Sequence, residues 1–201
     1  MNPPNIASPA LHLSGICSVC GAPGEFAAPA GASLREATCA HCGATTRNRD
    51  VALALVRALL GDDTPLAKAL PKLAGFAIFE AQCEGAVHKT LNGLPGYVCS
   101  EYLPGVPPGS TNDRGARCED LQSLTFADNS FDAVITQDVL EHVADPERAF
   151  LEIRRVLKPG GSHIFTVPVH EGHPTTTRPV GPASLPVSHE DPLAQAGAPV
   201  R

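Results

Sequence analysis

Residues 126–161 read FADNSFDAVITQDVLEHVADPERAFLEIRRVLKPGG, and this stretch decides the fold. A polar turn precedes the apolar run Phe131 to Thr136, whose length and β-branched residues predict a buried strand. Asp145-Pro146 predicts a helix start, because the carboxylate accepts hydrogen bonds from free N–H groups and proline has no N–H to leave unpaired. The stretch is therefore expected to form a strand, a short helix and a longer helix that ends at Pro159-Gly160-Gly161.

Two details of these helices follow from the same pattern. Asp138 is expected to be the N-cap of the short helix, with Glu141 three residues later completing a capping box. One apolar stripe at helical spacing is expected to face the core from the longer helix. Its members are Ala149, Phe150, Ile153, Val156 and Leu157.

Three pieces of the stretch resemble the fourth strand and following helices of class I S-adenosylmethionine-dependent methyltransferases, of the methyltransferase type 11 kind. They are Asp128 to Asp132, Val139 to Val143 and Leu157 to Gly161, in the family's order and spacing. The resemblance implies an α/β fold: a Rossmann-like sheet with helices on both faces, here lacking the family's last strands. It also implies S-adenosylmethionine as cofactor.

The composition of the 201 residues limits the remaining possibilities. Hydrophobic residues make up 43% of the chain, as in an ordinary globular protein, while the charged fraction of 18% lies below the usual ~25%. Twenty prolines indicate that part of the chain is loop or tail. The net charge of −6 argues against a surface that binds nucleic acid, so such a partner is not expected.

Neither a targeting signal nor a membrane segment is apparent. The most apolar run, Val51 to Leu60, is too short to cross a bilayer and contains Arg57. We expect a soluble, cytoplasmic protein without a membrane partner. In such a compartment cysteines more often bind metal than form disulfides.

Two Cys-x-x-Cys-Gly motifs near the N-terminus predict a zinc ribbon. Cys17 and Cys20 form the first pair, and Cys39 and Cys42 follow after 18 intervening residues. Each pair can form a tight turn that directs two thiolates at one tetrahedral ion. Because four thiolates complete the coordination, we expect structural zinc with no open position for a water molecule. The glycine after each pair suits a backbone with positive φ.

The ribbon does not have the charge of a nucleic-acid reader. Three basic and three acidic residues balance between Met1 and Asp50. Recognition of a substrate or protein, or simple stabilisation, is therefore expected. The other three cysteines, Cys83, Cys99 and Cys118, are expected to be free and buried as small hydrophobic residues.

The segment after the first predicted sheet strand departs from the resembled family. That strand, Gly75 to Glu80, ends in an acid, and the family follows it with a glycine-rich turn at the methionine end of the cofactor. Here the three glycine positions hold Gln82, Glu84 and Ala86, while Gly85 is out of step. Either the turn is reshaped around Gly85, or the fold is a degenerate one retained for packing.

The other cofactor residues are assigned by resemblance. Glu101 ends the second strand, where a carboxylate can accept both hydroxyls of a ribose. Tyr102 is placed against the adenosine, Asp120 near the adenine amino group and Leu121 beside it through its backbone. Glu80, Gln82, Gly85 and Gln137 are placed around the methionine part. No catalytic residue is evident; His142 is a weak candidate for a general base.

The chain divides into five segments in this interpretation. Residues 1–14 are a disordered lead-in, 15–47 the zinc-ribbon-like module, 48–72 a connecting helical segment, 73–168 the α/β domain and 169–201 a mostly irregular tail. The tail holds six prolines and three glycines. Without further strands the fifth strand would lie at an exposed edge. The tail, a second copy or another partner is expected to cover it, unless the domain is a shortened one.

Two functions are therefore carried forward. The first is an S-adenosylmethionine-dependent methyltransferase with an unknown methyl acceptor. The second is an inactive methyltransferase-like scaffold that interacts through its zinc-binding ribbon. The irregular turn from Glu80 to Ala86 favours the scaffold, whereas Glu101 and Asp120 favour the enzyme.

Overall fold

A computed structural model describes residues 11–28, 34–113 and 116–168 of the chain. Residues 1–10 of the predicted lead-in and the predicted tail 169–201 lie outside the described residues. The first strand already begins at Leu11, inside the segment expected to be lead-in. The described residues form a small antiparallel sheet, two connecting helices and a larger parallel sheet.

The N-terminal sheet holds the cysteine motifs. Its strands β1 (Leu11–Ile16), β2 (Pro23–Ala28) and β3 (Thr38–Cys39) pair antiparallel in that order. The first motif forms the turn between β1 and β2, and the second begins at the end of β3. A short 3-10 helix, Leu34–Glu36, precedes β3. We call residues 11–45 the ribbon.

Two helices connect the ribbon to the larger sheet: α1 (Thr46–Leu60) and α2 (Leu66–Leu73). Thr45 caps α1 by accepting a hydrogen bond from the N–H of Asn48, whose side chain accepts in return from the N–H of Thr45. The helix ends at Gly61, whose φ of 74° is easy only for glycine. These two helices occupy most of residues 48–72, the connecting segment expected to be helical.

Five parallel strands form the larger sheet, in the order β6-β5-β4-β7-β8. The order reverses between β4 and β7, and ligands of open α/β sheets bind at such a switch point, at the carboxyl ends of the strands. The strands are β4 (Ile78–Glu80), β5 (Tyr97–Glu101), β6 (Arg117–Cys118), β7 (Phe131–Gln137) and β8 (Leu157–Thr166).

Helices cover both faces of this sheet, as the fold prediction requires. Side chains alternate along the strands: Ile78 and Ala133 pack with α1, α2 and α3 (Gly85–Leu91), whereas Phe79 and Val134 pack with α4 (Pro146–Val156). Because both faces are covered, the central strands are largely apolar. The Rossmann-like architecture is confirmed.

The pieces that carry the family resemblance contact one another, as a central ion pair shows. The Asp132 carboxylate accepts from the backbone N–H of Ala77 at 2.8 Å and from Lys158 Nζ at 2.7 Å. It thereby ties the start of β7 to β4 and β8, and these two partners hold the pKa of Asp132 below its usual value despite partial burial. The motifs occur together because they are joined in the fold.

Three local predictions for this stretch were wrong. Phe150 is exposed rather than part of the core-facing stripe of the longer helix, and Leu157 lies in β8. Asp138 does not cap a helix: it has a φ of 51°, and its carboxylate pairs with Arg35 and Arg47 of the ribbon side, while only a 3-10 turn, Leu140–His142, follows. The longer helix ends at Val156 rather than at Pro159. Proline disfavours a helical conformation in the residue before it, so the chain turns to β8 at Leu157.

Strand β8 lies at the edge of the sheet. Within the described residues no strand pairs with its outer side, as the sequence predicted. Phe150, Phe165 and Val167 are exposed nearby. In the same part of the chain, we find no helix with the length and apolarity needed to cross a membrane.

Asp132→Ala should lower the free energy of unfolding by about 1–2 kcal/mol, because it leaves Ala77 N–H and Lys158 without their acceptor. Asp128→Ala, which removes a largely exposed partner of Arg155, should cost less than ~1 kcal/mol. Denaturant titration of the two variants measures both values. Equal losses would contradict the anchoring role of Asp132.

Candidate functional site

Four cysteine sulfurs converge in the ribbon. The Sγ atoms of Cys17, Cys20, Cys39 and Cys42 all lie within 4.8 Å of one another. Cys17 and Cys42 are 3.8 Å apart, as are Cys20 and Cys39. A tetrahedral ion with sulfur ligands at ~2.3 Å requires sulfur–sulfur distances of ~3.8 Å. The cluster therefore has the dimensions of a metal site.

The two turns that carry these sulfurs share one geometry. The N–H of Gly21 donates to the carbonyl of Cys17, and that of Gly43 to the carbonyl of Cys39, both at 2.8 Å. The two glycines have φ values of 77° and 71°. A side chain at either position would be strained, so the prediction of positive φ is confirmed.

At the carboxyl edge of the larger sheet, Glu80 is fully buried at the end of β4. Its carboxylate accepts from Tyr97 Oη at 2.7 Å and from Gln137 Nε2 at 2.9 Å. Burial raises the pKa of Glu80 to about 7, although both hydrogen bonds favour the charged form. Glu80 thus stabilises the carboxyl edge of the sheet from inside the protein and is not accessible to solvent.

The turn after Glu80 avoids strain at its non-glycine positions. Gly85 has a φ of 88°, while Glu84 is extended at −149°. Among the described residues, only Asn129 and Asp138 are non-glycine residues with positive φ. The turn is therefore reshaped around Gly85, with Gln82 beside it. The positive φ thus falls on Gly85, as the first of the two alternatives requires.

A disulfide crosses this region. The sulfurs of Cys83, in the turn, and Cys99, on β5, are bonded, with their Cα atoms 5.3 Å apart. The prediction that these two cysteines are free was wrong, because the parallel pairing of β4 and β5 brings Cys99 next to the turn. Cys118 is free and buried, as predicted.

A cavity of about 210 Å³ opens between the turn, α3 and the end of β5. Glu101, Glu84 and His88 contribute polar groups to it, and Cys83 and Cys99 part of its wall. Small-molecule sites usually measure ~300 Å³ or more, so this cavity suits one part of a cofactor, such as a ribose. Its carboxylates suit hydroxyl donors and cationic groups.

The remaining predicted adenosine residues lie near one another along the same edge. Tyr102 follows Glu101 and is 55% exposed, Asp120 is half-buried, and Leu121 is buried. Asp120 accepts from the N–H of Gln122 at 2.8 Å. Its neighbour Glu119 is buried and pairs with Arg117, which leaves Asp120 as the acid nearer the surface.

Gln137 joins the larger sheet to the ribbon side. While its amide nitrogen donates to Glu80, its oxygen accepts from Asn48 Nδ2 at 2.9 Å. The next residue, Asp138, pairs with Arg35 and Arg47. The ribbon therefore lies over the carboxyl end of β7, directly at the switch point.

Sequence reasoning missed the residues that make this connection. Asn48 was included only as the start of a helix, and Arg35 and Arg47 only in a charge count. The spacing of Thr45 and Asn48 resembles a capping box and was a signal for the helix start. Nothing in the sequence pointed to Gln137 or Asp138 as distant partners of this segment.

The weak catalytic candidate is not strengthened by its surroundings. His142 is exposed in the 3-10 turn after β7. A larger cavity, of about 580 Å³, lies between α4 and the beginning of β8. That is the opposite end of the sheet from the switch point, so we do not connect this cavity with cofactor chemistry.

Purified protein should hold one metal ion per chain, and removal of that ion should unfold the ribbon. Cys39→Ser should lower the metal content, because a hydroxyl replaces a thiolate ligand. Cys118→Ala, at a free cysteine outside the cluster, should keep the ion. Elemental analysis of reduced protein tests this, and absence of metal from well-folded protein would refute it.

Glu80→Gln should flatten part of the pH dependence of stability. The pKa of Glu80 rises on folding from about 4.5 to about 7, so the folded state holds the proton more tightly. Its contribution to stability is complete below about pH 4.5 and is lost as the pH rises towards about 7. Relative to wild type, the variant should gain stability between about pH 5 and pH 8 in thermal unfolding. A constant difference across this range would speak against the raised pKa.

Comparisons with known proteins agree with this architecture. Residues 106–165 match the family described as "Methyltransferase domain". A demethylmenaquinone methyltransferase of Renibacterium salmoninarum is 46% identical over 56 residues, which are 28% of this chain and 22% of that protein. An uncharacterized methyltransferase of Schizosaccharomyces pombe is 46% identical over 50 residues, 25% and 18% of the two chains. The chain thus spans less than a quarter of either relative.

Solved structures show distant likeness. A methyltransferase in complex with the Haloferax volcanii Trm112 methyltransferase activator has a TM-score of 0.37 and 24% identity, with 46% of this chain and 45% of that chain covered. An S-adenosylmethionine-dependent methyltransferase of Mesorhizobium loti has a TM-score of 0.35 and 24% identity, with 51% of each chain covered. TM-scores of this size support no conclusion about activity or substrate.

The family match covers β6, β7, α4 and most of β8, the part of the sheet that completes the switch point. The strand order and the helices on both faces agree with it. Residues 106–165 are therefore similar to a methyltransferase domain, and the sheet to which they contribute is Rossmann-like.

Proposed function

We propose that this protein is an S-adenosylmethionine-dependent methyltransferase. The observation that carries the proposal is the position of Glu101. Its carboxylate lines a cavity at the carboxyl end of β5, next to the strand-order reversal, and residues 106–165, which follow Glu101 in the chain, match the methyltransferase family. A carboxylate at that position can accept both hydroxyls of a ribose.

The neighbouring residues would hold the rest of the cofactor. Tyr102 offers an exposed ring for the adenosine, and Asp120 and Leu121 border the adenine side. Gln82 and Gly85 shape the turn beside the methionine part. Glu80 and Gln137 support this turn from below, since their polar atoms already bond one another.

When bound, S-adenosylmethionine supplies a methyl group activated by its sulfonium. The protein then has mainly to hold donor and acceptor in line and exclude water, so it needs no dedicated base. This agrees with a site in which His142 is exposed and no other general base is evident among the described residues. The methyl acceptor stays unassigned.

The ribbon would bind zinc as a structural ion. Its four thiolates leave no coordination position for a water molecule or substrate. Because the ribbon contacts the sheet edge through Asp138, it is placed to border the acceptor. A partner or second copy at the edge of β8, and residence in the cytoplasm, stay predictions.

Calorimetric titration with S-adenosylmethionine, or with its demethylated product, tests the proposal. Glu101→Ala should weaken binding by at least about tenfold, because a carboxylate that accepts hydrogen bonds is worth ~1.5–3 kcal/mol. Glu147→Ala, at an exposed acid on α4, is the matched control and should bind like wild type.

If S-adenosylmethionine does not bind to folded, metal-loaded protein, the proposed enzyme function is wrong and the inactive scaffold is the alternative. If the Glu101→Ala and Glu147→Ala variants bind S-adenosylmethionine with equal affinity, the protein binds the cofactor but Glu101 does not contribute to the site.

A further inference from the structure

A chain of side-chain hydrogen bonds runs through the protein from the ribbon side to the cavity. Asn48 Nδ2 donates to Gln137 Oε1 at 2.9 Å, and Gln137 Nε2 donates to Glu80 Oε1 at 2.9 Å. Tyr97 Oη donates to the other oxygen of Glu80 at 2.7 Å and lies 2.9 Å from His88 Nδ1. His88 lines the cavity that holds Glu101.

At its ribbon end, this series of hydrogen bonds is connected to the cysteine cluster. The N–H of Cys39 donates to the carbonyl of Ala44 at 2.9 Å, which fixes the segment that leads into α1. Thr45 then donates its N–H to Asn48 Oδ1 at 3.1 Å. With its oxygen held in this cap, the Asn48 amide nitrogen is directed at Gln137. The position of Asn48 thus depends on the turn that carries Cys39 and Cys42.

At its cavity end, the same series of hydrogen bonds supports the irregular turn after Glu80. Glu80 is the last residue of β4, and the N–H of Ala81 donates to the carbonyl of Ile135 at 2.9 Å, so the turn starts from a fixed point. A Cβ on Gly85 would lie 4.0 Å from Asn48 Nδ2. The Asn48 amide therefore lies beside the turn as well as beside Gln137.

We propose that Asn48 is a positioning residue that couples the cysteine cluster to Glu80 and thereby to the cofactor turn. Metal in the ribbon holds the start of α1, Asn48 orients the Gln137 amide, and Gln137 keeps a donor on the buried Glu80 carboxylate. The effect on cofactor affinity rests on the proposed function; the effect on Glu80 does not.

A simpler role for Asn48 is that of a helix cap alone. Asn48→Asp separates the two roles, because aspartate keeps an oxygen for Thr45 N–H but has no N–H for Gln137. In this variant Gln137 either turns its nitrogen towards the introduced carboxylate or loses its orientation, and in both cases Glu80 loses a donor. Asp50→Asn, at an exposed position of the same helix, is the matched control.

Carbon-13 NMR titration of the Glu80 carboxyl in metal-loaded protein gives a readout that needs no activity. Loss of the Gln137 donor should raise the pKa of Glu80 above its value of about 7, since that hydrogen bond favours the charged form. Asn48→Asp and Gln137→Met should each raise it. The double variant should raise it no further than Asn48→Asp alone, because both changes break one link and the introduced carboxylate, which by itself raises the pKa of Glu80, is present in both proteins.

Metal removal is the second arm of the experiment. The metal-free wild type should show the same rise as metal-loaded Gln137→Met, and Gln137→Met should show no added rise without metal. Affinity for S-adenosylmethionine should fall about two- to tenfold with each change, as expected for one hydrogen bond. If chelation unfolds the whole chain, the comparison of Asn48→Asp, Gln137→Met and the double variant carries the test.

The outcomes separate the two proposals. A rise in Asn48→Asp smaller than the rise in Gln137→Met would overturn the coupling and leave Asn48 as a cap. Non-additive rises in protein that binds no S-adenosylmethionine would support the coupling while the proposed function fails. Additive effects of Asn48→Asp and Gln137→Met would also contradict a shared link.

Discussion

The buried carboxyl of Glu80 is the constraint on which the centre of this structure depends. A carboxylate without water must be hydrogen-bonded, or burial becomes very costly. Tyr97 meets this requirement from β5 and Gln137 from β7, so the acid binds together the three strands around the switch point. The position of the cofactor turn follows from this arrangement, because the turn starts directly after Glu80.

The same arrangement explains why a glycine-poor turn is compatible with the fold. The left-handed conformation that the turn needs is moved to Gly85, and the disulfide between Cys83 and Cys99 fastens the turn to β5. The N-terminal part of the chain contacts the carboxyl end of β7. Asn48 donates to Gln137, and Arg35 and Arg47 pair with Asp138. A module that resembles an appendage in the sequence thus contacts the carboxyl end of β7 through Arg35.

Much of the fold could be predicted from local patterns. The buried strand from Phe131 and the helix start at Asp145-Pro146 depend on residues close in sequence. Two of the wrong predictions, those for Asp138 and Cys99, depended on distant partners. Asp138 has the sequence context of a cap, but two arginines from the N-terminal part of the chain bind its carboxylate. Cys99 bonds Cys83 because two strands pair in register.

The sequence by itself determined individual strands and helices and the four thiolates of the ribbon, because short-range periodicity and motif spacing encode these features, while the Rossmann-like sheet was implied by the family resemblance. Only the tertiary structure decided which polar atoms meet at the switch point. Asn48, Glu80 and Gln137 are far apart along the chain and come together through strand order and the packing of α1 on β7. Hydrogen bonds depend on distances of tenths of an ångström, which spacing along a chain does not specify.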